Sequence, residues 1–256
     1  MTSHTTASPS HYDLQAEHYD AINEERTQEL NQTVFNLLQE HGAKKVLDAT
    51  CGTGSQVFFL EQHGFEVVGS DCSGAMLEQA KSKATRQNSS VRFHQADIRT
   101  LQLGQFDAVI SMFNAIGHLT QNDFFTALAS IAQSLNPNGV YIFDIFNLTY
   151  LLTDNRITEL TIDWLEHEGD TTIRKIQYST VSPQGVLASH TTSITHRGAS
   201  ALHHQQESQT LQIYARDPIE DMLKNHGMRL HTIVNPDGSP FDETRSERMV
   251  VVAQKT

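Results

Sequence analysis

Val46-Leu47-Asp48-Ala49-Thr50-Cys51-Gly52-Thr53-Gly54 begins as an apolar run and breaks into a glycine turn, and a second apolar run downstream closes on Asp71. The pattern reads as a buried strand, a tight turn and a helix opening at Ser55. At the carboxyl end of a parallel strand, such a turn is where an open α/β sheet receives an adenosine-containing ligand. A dinucleotide fingerprint needs a third glycine three residues on, so that the helix can close around a pyrophosphate. Val57 stands there instead. The acidic residue precedes the turn, as suits a cationic ligand without phosphate. The stretch therefore points away from nicotinamide dinucleotides.

Upstream, Leu30, Val34, Leu37, Leu38 and His41 recur at helical spacing, which predicts an amphipathic helix over 26–41 stopped by Gly42. Downstream, strands and helices alternate. Strands are expected at 44–49, 65–70, 91–96, 106–111 and 140–145, and helices at 55–63, at 73–86 with Ser73 as N-cap, and from an Asn122 cap to about Leu135. That alternation implies a parallel sheet with right-handed crossovers. After Tyr150 the pattern changes to period two, broken at Glu168-Gly169-Asp170 and Pro183-Gln184-Gly185, which are hairpin signals. A strand at 207–214, a helix near 218–226 and strands at 229–234 and 248–253 complete the chain. The expected organisation is a disordered tail over 1–12, a Rossmann-like core over 13–156, an antiparallel insertion or lid over 157–214, and a last helix and two strands over 215–256 that complete a seven-stranded, mostly parallel, doubly wound α/β sheet.

With 256 residues the chain can bury one sizeable core. Its 18 Lys plus Arg against 30 Asp plus Glu give a net charge of −12, without the basic stripe of a nucleic-acid binder. A small-molecule substrate is the better expectation. Two cysteines, Cys51 and Cys72, without metal spacing suit a reducing cytoplasm, and no apolar run is long enough for a membrane helix. The 14 histidines include the adjacent pair His203-His204, which a strand would point to opposite faces, so no metal site is expected.

Asp71, at the end of the second strand, stands where an acid accepts both ribose hydroxyls. Asp97 follows the third strand and could accept from an adenine amino group, with Ile98 and Met76 offering apolar faces to the ring. Three acids at three successive strand ends outline a nucleoside pocket. Together with Asp71-Cys72-Ser73-Gly74-Ala75-Met76-Leu77, Ala96-Asp97-Ile98, the segment 106–119 and the turn Asn136-Pro137-Asn138-Gly139, the opening stretch resembles the class I S-adenosylmethionine-dependent methyltransferases. The resemblance covers roughly residues 30–150. Val109-Ile110-Ser111-Met112-Phe113-Asn114-Ala115-Ile116-Gly117-His118-Leu119 looks most like small-molecule N-methyltransferases of the glycine N-methyltransferase and sugar-amine N,N-dimethyltransferase type.

The resemblance implies S-adenosylmethionine as cofactor and S-adenosylhomocysteine as product, with contacts at Asp48, Gly52, Gly54, Asp71, Asp97 and the backbone of Met112. Ala49 and Cys72, beside the first two acids, join that set. Tyr19-Asp20 is similar to an N-terminal Tyr-Asp of these enzymes whose ring covers the cofactor, so Tyr19 is a candidate for both cofactor and catalytic contact. His118 follows the fourth strand on the catalytic rim, where a neutral imidazole could accept a proton or aim the acceptor. Asn114, Asn147 and Tyr150 are further candidates for the substrate pocket. The expected reaction is methyl transfer to an amine nitrogen by a monomer or homodimer. O-methylation with His118 as base and non-catalytic cofactor binding are the alternatives.

Overall fold

The computed structural model describes residues 3–12, 24–153, 160–198 and 200–256. Strands β1 (Lys45–Asp48), β2 (Glu66–Asp71), β3 (Arg92–Gln95), β4 (Phe106–Ser111), β5 (Leu135–Phe146), β10 (Met228–Val234) and β11 (Arg248–Lys255) form one sheet in the order β10-β11-β5-β4-β1-β2-β3. Pairings from β3 through to β5 are parallel, whereas β11 is antiparallel to both its neighbours. The chain winds outward from β1 to β3, then returns to lay β4 on the other side of β1. This reversal makes a crevice outside the carboxyl ends of β1 and β4.

Alternate residues of the same strands feed two separate cores. Val46, Ala108, Ile110, Ile142 and Val250 pack under helices α1 (Glu24–Glu40), α2 (Ser55–Gln62) and α3 (Gly74–Gln87) through Leu30, Val34, Leu38, Val57, Leu60 and Leu77. Leu47, Val109, Phe143 and Val251 face the other way, onto Phe124, Leu128 and Ile131 of α4 (Gln121–Ser134) and Ile219, Met222 and Leu223 of α6 (Arg216–Lys224). Burial on both faces explains why these strands read as continuous apolar runs. A short helix α5 (Leu148–Leu152) follows β5.

The hairpin region forms a second, four-stranded antiparallel sheet in the order β6-β7-β8-β9, from Leu160–Glu168, Thr171–Val181, Val186–Arg197 and His203–Gln212. Its base joins the main body. Leu187 and Leu211 enter the α4/α6 core, and Gly185 O accepts the Ile213 N–H at 2.8 Å. Among the described residues, no helix is long and apolar enough to cross a membrane.

Four expectations change. Thr120, not Asn122, caps α4: its hydroxyl accepts the Asp123 N–H at 3.2 Å, so the helix starts a half-turn earlier. β5 is longer than 140–145, because Leu135 pairs with Phe106 before Val140 resumes the ladder opposite Ala108. Residues 136–139 bulge out between them, with Asn138 at φ 62° and the Asn136 amide tied to Asp107 at 2.9 Å. β9 begins at His203, where cross-strand pairing with β8 extends a polar stretch that carries no alternation signal.

The start of the chain also departs from a disordered tail over the described residues 3–12. The Ala7 N–H donates to His118 O at 2.9 Å, and the Thr120 N–H donates to the Thr6 hydroxyl at 2.9 Å, which itself donates to Asp123. The His4 ring nitrogens lie 2.9 Å from the Thr210 hydroxyl and 3.0 Å from Leu119 O. These bonds satisfy loop groups that a free tail would leave to water.

Candidate active site

A cavity of about 860 Å³ opens at the reversal point between β1 and β4. The glycine turn after β1 forms its floor. Gly52 and Gly54 adopt φ 52° and 87°, conformations that L side chains rarely take. Gly54 is not on the lining, and an added Cβ there would sit 2.9 Å from the Phe58 ring. Asp48 closes β1 and is 3% exposed. Its carboxylate accepts the Thr50 N–H at 3.2 Å, yet its pKa is pushed up to about 7, chiefly by burial and further by the nearby Asp71 charge.

Asp71 joins the two turns. One carboxylate oxygen accepts the Gly52 N–H at 2.9 Å and the other the Ser73 N–H at 2.8 Å. Burial outweighs those bonds and raises its pKa. Ser73 then caps α3 by accepting from Met76 N, which directs Met76 toward the cavity. Asp97 differs from the other two acids. Arg99 grips its carboxylate through Nε, at 3.0 and 3.1 Å, and Nη2, at 2.6 Å, holding it below the usual carboxylate range. Arg99 Nη1 continues to Asp123 at 3.1 Å, the residue that also holds Thr6. Asp97 is thus an ionised acceptor braced from behind, with lone pairs left for a ligand.

Of the residues singled out in the sequence, Asp48, Ala49, Gly52, Asp71, Cys72, Met76, Asp97, Ile98, Met112 and His118 all line this one cavity. Gly54 supports the turn from outside it. Tyr19 lies outside the described residues. Asn114, Asn147 and Tyr150 are not on this lining. Asn114 is buried because its side-chain oxygen accepts the Phe146 N–H at 3.2 Å. Asn147 is wholly buried as the cap of α5, and its amide donates to Glu243 O and Ser246 O at 2.8 Å each. Tyr150 packs against the α4/α6 core.

The match to known proteins follows the same segments. A family model described as a methyltransferase domain matches residues 46–139. YqeM of Bacillus subtilis, whose name assigns it provisionally as a methyltransferase, is 29% identical over 83% of this chain and 84% of its own length. These likenesses support an S-adenosylmethionine-dependent methyltransferase. The glycine/sarcosine N-methyltransferase of Parasynechococcus marenigrum is 42% identical, but over 46% of this chain and 43% of that enzyme. In fold, the methyltransferase matches the S-adenosylmethionine-bound structure of CalS10, an amino pentose methyltransferase of Micromonospora echinaspora, with a TM-score of 0.66 at 19% identity over 100% of both chains.

The cavity presents unsatisfied polar groups that a cofactor could complete. Among the described residues, both side-chain amide atoms of Gln56 and Oδ1 of Asn31 are buried on the lining without a hydrogen-bond partner. Such groups are costly unless a ligand or water completes them. Neutral amides beside the buried acids Asp48 and Asp71 suit an ammonium and carboxylate on one small group, while Met76 and Ile98 suit an apolar ring. The residues present fit the cofactor. Sequence reasoning missed Gln56 and Asn31, because a polar residue on an amphipathic helix ordinarily reads as solvated. It also missed Arg99 and the wall made by Thr6, Ala7, Ser8 and Pro9.

Proposed function

We propose that this methyltransferase methylates an amine nitrogen of a small polar metabolite. The observation that carries the reading is the single cavity itself. Asp48, Asp71 and Asp97 lie at the strand-end side, and Phe113 and His118 form the wall that follows β4. Its volume is at the upper end of small-molecule sites, enough for a cofactor with a modest acceptor beside it. The N-methyltransferase likeness over the shared segment supports nitrogen as the acceptor. When bound, S-adenosylmethionine supplies an electrophilic methyl group on a sulfonium.

The chain's own work is alignment and exclusion of water, which can contribute roughly 7–11 kcal/mol. Asp48, Asn31 and Gln56 hold the cationic amino-acid end, Asp71 takes the ribose hydroxyls, and Asp97 with Ile98 and Met76 frames the adenine. His118 orients the acceptor or removes a proton from its ammonium, and the β6–β9 sheet serves as the lid. Two free cysteines agree with a reducing cytoplasm as its place of work. Arg99 and Arg174 are each paired to aspartates.

The test is methylation of a panel of small amines and alcohols, read by S-adenosylhomocysteine release, with His118→Ala beside the unchanged enzyme. For an amine acceptor, His118→Ala is expected to lose about a hundredfold at pH 7 and to recover as pH rises and the amine deprotonates in solution. A loss that does not recover would favour a hydroxyl acceptor, and an unchanged rate would remove His118 from the chemistry.

Gln56→Leu offers a separate check on the cofactor end. Removing unsatisfied amide atoms should stabilise the ligand-free protein by about 1 kcal/mol and weaken S-adenosylhomocysteine binding about tenfold. Calorimetric titration and thermal melting read the two effects. A variant with weaker folding and unchanged affinity would take Gln56 out of the site.

A further inference from the structure

Phe113 and Asn114 both hold left-handed backbone, at φ 62° and 60°. One asparagine tolerates that conformation, but a phenylalanine there is an outlier, and two non-glycine residues in succession need an external hold. The hold is Asp144, wholly buried on β5. One of its carboxylate oxygens accepts the Asn114 N–H at 3.0 Å, and the neighbouring Phe113 N–H also favours its charged form. The other oxygen takes Arg248 Nη1 at 2.8 Å. Successive N–H groups around left-handed residues form a concavity for anions, and here the anion is the chain's own.

Arg248 is fixed in turn. Its guanidinium lies 4.4 Å over the Phe146 ring, and the Phe146 N–H donates to the Asn114 side chain. Neither Asp144 nor Arg248 lines the cavity. The residues on the held turn and just after it do: Phe113, Ala115 and His118 are on its wall. Burial keeps the pKa of Asp144 raised despite the arginine, so the pair is not merely a surface contact.

We propose that Asp144 and Arg248 are positioning residues that shape the acceptor wall through the left-handed Phe113–Asn114 turn, while leaving the cofactor half of the cavity unchanged. The assignment as a methyltransferase underlies this role; the identity of the acceptor atom does not. A purely structural pair would act on folding, cofactor binding and turnover together. A positioning pair separates them.

The test uses Arg248→Met, Arg248→Lys and Asp144→Asn in the full chain. Each is titrated with S-adenosylhomocysteine, crystallised with it, and assayed with the best acceptor of the panel. Arg248→Met is expected to keep S-adenosylhomocysteine affinity within threefold, to release Phe113 or Asn114 from positive φ, and to lower kcat at least thirtyfold. Arg248→Lys, which keeps the charge, should retain the turn and stay within fivefold in kcat. If Asp144→Asn does not fold, the two arginine variants decide alone. An intact turn in Arg248→Met overturns the proposal. So does a released turn with kcat unchanged, or a loss of S-adenosylhomocysteine affinity equal to the loss of turnover. If no panel member is methylated, the amine reading fails by itself, and the crystal structures with the titrations still decide the role of the pair.

Discussion

Asp48→Asn is expected to bind S-adenosylmethionine at least a hundredfold more weakly at pH 8 and, without ligand, to melt several degrees higher than the unchanged protein. Both effects come from one buried carboxylate. Its pKa of about 7 in the folded state, against 3.8 as its ordinary value, means that folding favours the protonated form. Stability from this group is therefore complete below about pH 4 and is lost as pH rises through 7. The shift corresponds to an upper limit of about 4 kcal/mol, of which relaxation leaves about half as a measurable gain in the neutral variant. In a protein of this size about 2 kcal/mol is worth roughly 4–8 °C.

The same sign sets the binding profile. A cationic ligand selects the ionised carboxylate, so wild-type affinity should climb as pH rises toward and through 7, and Asp48→Asn should show a weaker climb. Asp71, whose pKa burial also raises, acts in the same direction. Melting curves and calorimetric titrations across pH 5–8.5 check the pair of effects. An Asp48→Asn variant that melts lower and binds normally would remove Asp48 from the cofactor site.

Gly185→Ala carries the second large effect. Gly185 sits at φ 81°, and an added Cβ would come within 2.2 Å of the Ile213 carbonyl oxygen. Backbone has to move, and the bond from Ile213 N to Gly185 O lies in the same contact. Left-handed strain and overpacking together should cost about 3 kcal/mol. The damage falls where the four-stranded sheet joins the main body. If that sheet covers the acceptor, turnover should fall at least tenfold while S-adenosylhomocysteine affinity stays within threefold. Equal losses in both would mean that the sheet braces the whole cavity, and turnover unchanged at a temperature where the variant is folded would dismiss its role as a cover.

The convergence of three acids on one cavity was legible because a parallel sheet converts sequence position into spatial position. Asp48 and Asp71 each end a strand and Asp97 closely follows one, and adjacent parallel strands end side by side, so three separated acids had to converge. The same rule misled at Asn147. It too follows a strand, but its amide is consumed by Glu243 O and Ser246 O, which a one-dimensional pattern does not reveal. Gln56 and Asn31 were hidden for a different reason. Their helices show ordinary amphipathic spacing, and a buried amide at the margin of the apolar face has the same sequence signature as a wet one. Thr6 and Ala7 were lost because a polar segment tied down by loop carbonyls and a carboxylate has the composition of a disordered one. Asp144 read simply as part of a strand, since nothing local marks the arginine 104 positions away that neutralises it.

That long separation has a consequence for how the enzyme is made. Because β11 runs against its neighbours, it enters the sheet at the edge where the parallel strands leave it, and Arg248 arrives opposite Phe146 at that edge. During synthesis, the glycine turn, Asp71 and Asp97 all emerge well before this strand. A nascent chain can thus assemble the cofactor half while the wall after β4 still lacks its anchor. The wall after β4 gains this anchor only once β11 has emerged.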